Sequence, residues 1–192
     1  MSLGISMTIK GHKIGIGPWD VLHVGLYRNF GLTIGMWNVI LGFLIIIGTC
    51  VVIKQWPKIG TWINIFFIGA FIDVFNWLLP EIEPLAGQAV IFILGAVVIS
   101  YGTGIYVSSN IGAGPRDSLM LVLVERLGGS IKKTRTIIEF IVAILGWILG
   151  GPIGVGTVII AILLGQLIHY TLPQSIAVLM KITGESDEKF LL

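Results

Sequence analysis

The chain has 192 residues, of which 55% are hydrophobic and 11% are charged. Soluble domains carry roughly 25% charged residues, so this composition and a mean hydropathy of +0.98 place the chain in a lipid bilayer. A net charge of +2 is too small to indicate a nucleic-acid partner. The single cysteine, Cys50, excludes an intramolecular disulfide, and we expect it to pack against lipid or another helix.

The first apolar stretch, residues 1–9, is too short to cross a membrane. Nine helical residues reach about 14 Å, roughly half of the hydrocarbon core. The stretch lacks a basic start and runs into Lys10, so it does not resemble a cleavable signal peptide. We expect either that the full helix begins upstream, or that this short helix is covered by a neighbouring chain or by lipid.

A glycine-proline-aspartate motif follows, and the sequence around it occurs twice. IGIGPWDVLHVGLYRNFGLTIG, at 14–35, matches IGAGPRDSLMLVLVERLGGSIK, at 111–132, without a gap. The offset of 97 residues becomes 96 further along, where Gly60 and Thr61 match Gly156 and Thr157. Self-similarity at a fixed offset indicates two copies of one unit. We predict a first repeat at 1–84, a second at 85–173 and a cytoplasmic tail at 174–192.

The motif itself predicts a break between two helices. Its glycines stop the incoming helix, and a proline in the first turn begins a new one without losing a hydrogen bond. The aspartate then lies in that first turn, where the helix dipole favours a carboxylate. The new helices, 19–27 and 116–124, are too short to span the bilayer and are either re-entrant or flat on the interface.

The motif has two interpretations. It is a common way to start a helix, and it is also an arrangement in which the first turn of a half-helix meets a polar substrate at membrane depth. The built-in carboxylates suit a cationic, zwitterionic or proton-coupled ligand better than an anion. The predicted substrate-binding residues of the motifs are Gly17, Pro18, Asp20, Gly114, Pro115 and Asp117.

Five stretches have the length, or nearly the length, of a membrane span: 36–53, 59–79, 85–107, 136–149 with its flanks, and 152–172. Alternating them divides the basic residues into nine on one side and three on the other, namely Lys54, Lys58, Arg116, Arg126, Lys132, Lys133, Arg135, Lys181 and Lys189 against Lys10, Lys13 and Arg28. The positive-inside rule then places the nine, and the C-terminus, in the cytoplasm. Because each repeat has an odd number of spans, the repeats are predicted to be inverted.

Two ionisable residues within spans occupy matching positions. Asp73 lies in the second full span, and the repeat offset equates it with His169 in the last span. Ionisable groups in a membrane are costly and indicate function, so the pair is predicted to approach, share a proton and help to bind substrate. The alternative is that each side chain reaches the headgroups near the end of its span.

Arg135 and Glu139 are one helical turn apart at the cytoplasmic entry of the fourth full span. This spacing lets the two side chains pair on one helix face. The pair is either a structural ion pair or a cytoplasmic gate.

The sequence contains no motif of an enzyme, a metal site or a cofactor site. It has no H-E-x-x-H, P-loop or serine elbow, and its three histidines have no metal-like spacing. We therefore expect a protein that is not an enzyme and has no cofactor. The tail is expected to form an interfacial cytoplasmic helix with a frayed end.

Three segments carry a resemblance to a known family: IGIGPWDVLHVGLY, GAGPRDSLMLVLVERLGGSIKKTRTIIEF and LGWILGGPIGVGT. With them the chain resembles the YczE/YyaS/YitT family of bacterial integral membrane proteins over nearly its whole length. The resemblance implies a cytoplasmic-membrane protein of about six spans. It maps the family's G-x-G-P-x-D segments onto Asp20 and Asp117 with their preceding residues, and its R-x-x-x-E helix start onto Arg135 and Glu139.

These observations predict an all-α polytopic membrane protein with two inverted repeats, each of about three spans and a short helix, and a truncated first span. We expect a small secondary transporter or carrier in the bacterial inner membrane that moves a small polar or zwitterionic solute by alternating access. The alternatives are a non-transporting scaffold or accessory protein, which predicts a dry repeat interface, and a lipid-handling protein, which predicts a groove open to the bilayer. A homodimer is one arrangement that would enclose a pathway in so small a chain.

Overall fold

The computed structural model describes residues 1–54, 56–108, 112 and 114–183. Within these ranges the chain forms α-helices joined by turns and loops, without strands. Within the described ranges, each half of the chain supplies four helices. They are α1 (Ser2–Lys10), α2 (Pro18–Phe30), α3 (Ile34–Ile53), α4 (Ile59–Leu78), α5 (Leu85–Ser108), α6 (Pro115–Leu127), α7 (Ile131–Ile148) and α8 (Val155–Thr183). We call the end of the bundle where α3 connects to α4 the Lys58 end, and the end where α4 connects to α5 the Glu81 end.

Four of these helices, α3, α4, α5 and α8, are long and apolar enough to cross a membrane. The sequence predicted a fifth span at 136–149, which ends one residue beyond α7. That helix has 18 residues, but four of those in its first half are charged: Lys132, Lys133, Arg135 and Glu139. By length and composition the described chain therefore has four candidate spans, and α7 is excluded because of these charges.

Helix α1 is the nine-residue helix that the sequence predicted, and α4 and α5 of the same chain cover it. The hydroxyl groups of Ser2 and Ser6 donate to the backbone carbonyls of Ile68 and Ile72 in α4, at 3.2 and 3.1 Å. On its other side, α1 packs on α5 through contacts between glycines. Helix α1 is therefore packed within its own chain, and its covering by lipid or another chain stays a prediction.

Helix α8 continues beyond 172, where the sequence predicted the last span to end. Pro173 lies inside the helix and interrupts its hydrogen bonding, because proline has no N–H to donate. Contacts with α5 hold the helix on both sides of the proline: Thr171 donates to the carbonyl of Ser100 at 3.1 Å, and Tyr101 donates to Gln174 at 2.6 Å. The rest of the predicted tail, 184–192, lies outside the described residues.

Helices α2 and α7 approach each other more closely than ordinary side chains would permit. A methyl group added at Gly146 in α7 would lie less than 3.0 Å from backbone atoms of Val21 and Leu22 in α2. A methyl group at Gly25 in α2 would likewise lie 2.8 Å from the carbonyl oxygen of Gly146. Small residues at such a crossing let two backbones touch, so this interface is closed.

Gly146→Ala is expected to destabilise the protein by about 1–3 kcal/mol, because the added methyl group overpacks a backbone contact. Gly165→Ala is the matched control: it also lies within a helix, and a methyl group there would meet nothing within 4 Å. The control is expected to leave stability unchanged or raise it by up to about 1 kcal/mol, since alanine favours helix. Thermal unfolding in detergent, followed by circular dichroism, measures both, and equal unfolding temperatures would contradict the closed interface.

Candidate functional site

The described residues of the two motif copies have similar local structure. Gly15 and Gly112 both have positive φ, at 123° and 157°, which glycine adopts without strain. Each also lies against the first turn of the last helix in the opposite half. A methyl group at Gly15 would come within 2.7 Å of the Thr157 nitrogen, and one at Gly112 within 2.8 Å of the Thr61 hydroxyl oxygen. Both positions therefore require glycine, for conformation and for space.

Helices α2 and α6 begin next to the middle of a long helix and run toward opposite ends of the bundle. Trp19, in the first turn of α2, packs on Ile138 and Val142 of α7, and Arg28 in the last turn donates to the carbonyl of Gly150 just beyond α7. Each helix has 13 residues and starts with the predicted proline after a glycine N-cap. Both are longer at each end than predicted.

Helix α6 repeats this path on the other side. Pro115, its first residue, lies beside Gly42 in the middle of α3, where an added methyl group would be 3.4 Å from the proline ring. Arg126, near its end, donates to the carbonyl of Val52 in the last turn of α3 at 2.7 Å. The first turns of α2 and α6 consequently meet at the centre of the bundle.

A cavity of about 90 Å³ lies where these first turns meet, and we call it the central cavity. Its polar lining comes from α2, α5, α6 and α7, whereas α8 contributes apolar side chains. The charged residues that line it are Asp20, Arg116, Asp117, Arg135 and Glu139. All of the predicted motif and gate carboxylates therefore face one enclosed space.

Asp20 is almost completely buried, with 3% of its surface exposed. Its Oδ1 atom lies 4.0 Å from Nη2 of Arg116 and 3.6 Å from Nδ1 of His23. The Arg116 guanidinium also lies 5.0 Å from the centre of the Trp19 ring and donates to Asn38 at 3.3 Å. Arg116 thus connects the first turn of α6 to the first turn of α2.

Arg135 and Glu139 form the ion pair that their spacing predicted, with 3.1 Å between Nε and Oε1. Glu139 is 8% exposed, and the pair lines the central cavity beside Asp117. With Asp20 and Arg116, the cavity holds three carboxylates and two guanidinium groups. This set offers partners for both ends of a zwitterion.

Asp117 has different neighbours from Asp20, although the two occupy the same place in their motifs. The Tyr106 hydroxyl group donates to Oδ2 of Asp117 at 3.4 Å, and the same hydroxyl oxygen accepts from the backbone N–H of Gly114. Tyr106 therefore ties the carboxylate to the start of its own helix.

A second, larger cavity of about 540 Å³ opens toward the Lys58 end, and we call it the vestibule. It lies between the end of α3 and helix α6, with Lys58 and Cys50 in its outer part. Asp117, Tyr106 and Arg135 line both the vestibule and the central cavity. The candidate site is therefore reached from the Lys58 end.

The two short helices differ in burial. Helix α2 buries seven of its 13 residues, among them Trp19, Asp20 and His23, whereas Val122 alone is buried in α6. The closed α2–α7 contact lies toward the Glu81 end and the vestibule lies beside α6. The two helices that begin with the same motif thus differ in packing: α2 is packed tightly and α6 loosely.

Asp73 lies outside the central cavity, at the Glu81 end. Its carboxylate accepts from the Thr33 hydroxyl group at 2.5 Å and from the backbone N–H of Gly35 at 2.8 Å. These bonds satisfy the start of α3, where a carboxylate is favoured by the helix dipole. Asp73 also lines a cavity of about 480 Å³ at this end, together with the ion pair of Lys10 and Glu81.

His169 is exposed on α8, with its ring 6.0 Å from that of Tyr170. Its neighbour Ile168 lines the vestibule, so His169 lies toward the Lys58 end and Asp73 toward the Glu81 end. The prediction that the two approach each other is wrong, because they lie at opposite ends of the bundle. A role for either in binding substrate stays a prediction.

Sequence reasoning did not identify Arg116, Tyr106 or His23 as site residues. One signal was present for Arg116: the repeat offset equates it with Trp19, so the two copies differ by a full charge within the motif. The same offset equates His23 with Met120. Positions at which the two copies differ therefore indicate site residues, as do the positions at which they are identical.

Comparison with known proteins agrees with the resemblance. Residues 1–173 match the model of a family of unknown function, DUF6198. The chain belongs to this family. It is 45% identical over 179 residues to the uncharacterized membrane protein YczE of Bacillus subtilis, a match that covers 93% of this chain and 83% of the relative. The resemblance to the YczE/YyaS family is thereby confirmed.

Two further relatives match at 32% identity. One is the uncharacterized protein YyaS of Bacillus subtilis, over 90% of this chain and 87% of the relative. The other is an uncharacterized protein of Haemophilus influenzae, over 83% of this chain and 72% of the relative. No solved structure matches the chain. Together with the four apolar helices, these relatives identify a membrane protein.

Proposed function

We propose that this protein is a small secondary transporter that carries a small zwitterionic solute by alternating access between two inverted repeats. The observation that carries the proposal is the central cavity, in which Asp20 and Asp117 meet two guanidinium groups and a third carboxylate. Each motif supplies one aspartate. Secondary transporters bind substrate in such a place, between repeats and beside the starts of broken helices.

The paths of α2 and α6 support a re-entrant arrangement. In each copy the short helix starts at the centre of the bundle and returns to the end at which the preceding helix, α1 or α5, finishes. Because α2 returns to the Glu81 end and α6 to the Lys58 end, the two units point in opposite directions. Inverted repeats of this kind exchange conformations during alternating access.

The difference in packing supports one particular state of that cycle. The Lys58 end carries basic residues of α3, α4 and α6, among them Lys54, Lys58 and Arg126, and the positive-inside rule assigns it to the cytoplasm. The vestibule then opens inward, while the α2–α7 contact closes the outer side. In the outward-facing state α6 would pack on α3 as tightly as α2 now packs on α7.

The charges support a zwitterion as the solute class. Carboxylates of Asp20, Asp117 and Glu139 would hold an ammonium group, and Arg116 would hold a carboxylate, aided by the dipoles of α2 and α6. A cavity of about 90 Å³ has room for only a few water molecules. Binding a solute therefore requires α6 to move outward.

The scaffold alternative keeps one observation in its favour. It expects Asp73 and His169 away from the repeat interface, and both lie away from the central cavity. It also expects that interface to be dry, whereas charged side chains line it. These charges favour transport. They all come from one chain, so the pathway does not require a second copy, and the homodimer stays a prediction.

The proposal is tested with purified protein in liposomes. A panel of radiolabelled zwitterions, consisting of free amino acids and betaines, is first screened by the thermal stabilisation that a ligand of the folded state produces. Each stabilising compound is then tested for exchange into liposomes loaded with the same unlabelled compound. We expect at least one to exchange faster than in protein-free liposomes, and a panel that neither stabilises nor exchanges would overturn the proposal.

A further inference from the structure

Two polar atoms in the first two turns of α2 are buried without a hydrogen-bond partner among the described residues. They are Oδ1 of Asp20 and Nδ1 of His23, which lie 3.6 Å apart on residues that are 3% and 1% exposed. Buried polar atoms are nearly always paired, and an exception calls for a bound species or a functional role. A proton on Nδ1 would turn these facing atoms into a donor and an acceptor.

This pair occurs in one copy of the motif only. The repeat offset places Met120 where the first copy has His23, and a thioether does not titrate. Asp117, the counterpart of Asp20, lies instead beside Tyr106 and the vestibule. The copies therefore provide one enclosed carboxylate with a histidine and one accessible carboxylate without it.

The charge of the pair acts directly on α6. Arg116 brings its Nη2 atom to 4.0 Å from Oδ1 of Asp20, and the same arginine is the second residue of α6. While Asp20 is ionised and His23 neutral, this attraction draws the start of α6 toward α2, although α6 also contacts α3. One added proton raises the net charge of the pair by one unit and so weakens its attraction for Arg116.

Other charged groups surround the pair. Those on the elements packed around it are Tyr106 of α5, Arg116 and Asp117 of α6, Arg135 and Glu139 of α7, and the amino group of Met1. Helices α3 and α4 contribute the uncharged Asn38 and Asn64, and α8 contributes apolar side chains. Among these, Arg116 is the cation nearest to Asp20.

We propose that Asp20 and His23 form the proton-binding site that couples proton movement to the position of α6. The proton is taken from water on one side of the membrane, resides on the pair without any covalent bond between heavy atoms changing, and returns to water on the other side. Binding weakens the hold of Asp20 on Arg116 and lets α6 pack more closely against α3. This inference rests on the proposed transport function, for which it names the coupling ion.

The test reports the position of α6 and needs no solute. Cys50→Ala removes the single cysteine, and Ser118→Cys places a thiol on α6 in the vestibule, which Ser118 lines. The rate of labelling by a charged maleimide is measured in nanodiscs from about pH 8 to about pH 5.5, across the titration range of histidine. Denatured protein at each pH corrects for the thiolate fraction.

At the acidic end we expect the corrected labelling rate to fall by about fivefold or more, the lower range of a typical coupling between sites. His23→Gln and Asp20→Asn, each in the reporter background, are expected to abolish this pH response. His12→Gln and Glu125→Gln, which change exposed residues, are the matched controls and are expected to keep it.

The outcomes separate the two proposals. A corrected rate independent of pH, a pH response that persists in His23→Gln and Asp20→Asn, or a response to sodium at constant pH would each overturn the proton site. Zwitterion exchange without a pH response would overturn the proton site alone. A pH response in a protein that moves no compound of the panel would overturn the transport proposal alone.

Discussion

Arg116→Gln is expected to destabilise the folded protein by about 3 kcal/mol, the lower part of the range for breaking a buried ion pair. The substitution leaves the Asp20 side chain, which is 5% exposed, without the guanidinium group 4.0 Å away. The lower value applies because the Arg116 side chain itself is 31% exposed. The Arg116→Gln substitution also removes the hydrogen bond from Arg116 to Asn38. Thermal unfolding of the purified protein in detergent measures the loss.

Two further variants identify the cause of that loss. Arg116→Gln combined with Asp20→Asn is expected to recover most of the stability, because the uncompensated charge is gone. Arg126→Gln changes another arginine of α6, whose exposed side chain bonds a backbone carbonyl, and is expected to alter stability by about 1 kcal/mol or less. Equal losses in Arg116→Gln and Arg126→Gln would show that the central charge pair does not stabilise the fold.

Asp117→Asn is expected to lower zwitterion exchange by about 100-fold or more, which corresponds to about 3 kcal/mol and to the loss of one charged partner of a bound ion. Asparagine has nearly the same shape and still accepts from the Tyr106 hydroxyl group. The folded protein is therefore expected to keep its unfolding temperature. Exchange in liposomes, normalised to the amount of inserted protein, measures the effect.

Glu125→Gln is the matched control for this substitution. It also converts a carboxylate of α6 to an amide, but Glu125 is exposed and lies more than two helical turns from Asp117. It is expected to leave exchange unchanged. If Asp117→Asn exchanged solute as fast as Glu125→Gln, Asp117 would have no part in binding.

The local structure of the motifs could be predicted from the sequence. Glycine and proline restrict the backbone independently of the rest of the fold, and the short helices accordingly start at Pro18 and Pro115. The same applies to Arg135 and Glu139, whose four-residue spacing brings the side chains together on any helix. Predictions that depend on one helix alone were therefore reliable.

Predictions that depend on two or more helices were less reliable. Equivalence by the repeat offset suggested that Asp73 and His169 approach each other, yet the two residues lie at opposite ends of the bundle. The offset is more informative for residues close to the centre, such as Asp20 and Asp117. The covering of α1 and the continuation of α8 past Pro173 also depend on partners in other helices, which the local sequence does not specify.

The amino-acid sequence by itself determined that the chain lies in a membrane, that a helix-breaking motif occurs twice, and where each short helix begins. These properties follow from composition and from backbone restrictions that act within a few residues. Only the tertiary structure decided that the two first turns meet, that Arg116 joins them, and that the vestibule reaches Asp117 from the Lys58 end. Such contacts link residues almost a hundred positions apart, and they arise from the packing of whole helices against one another.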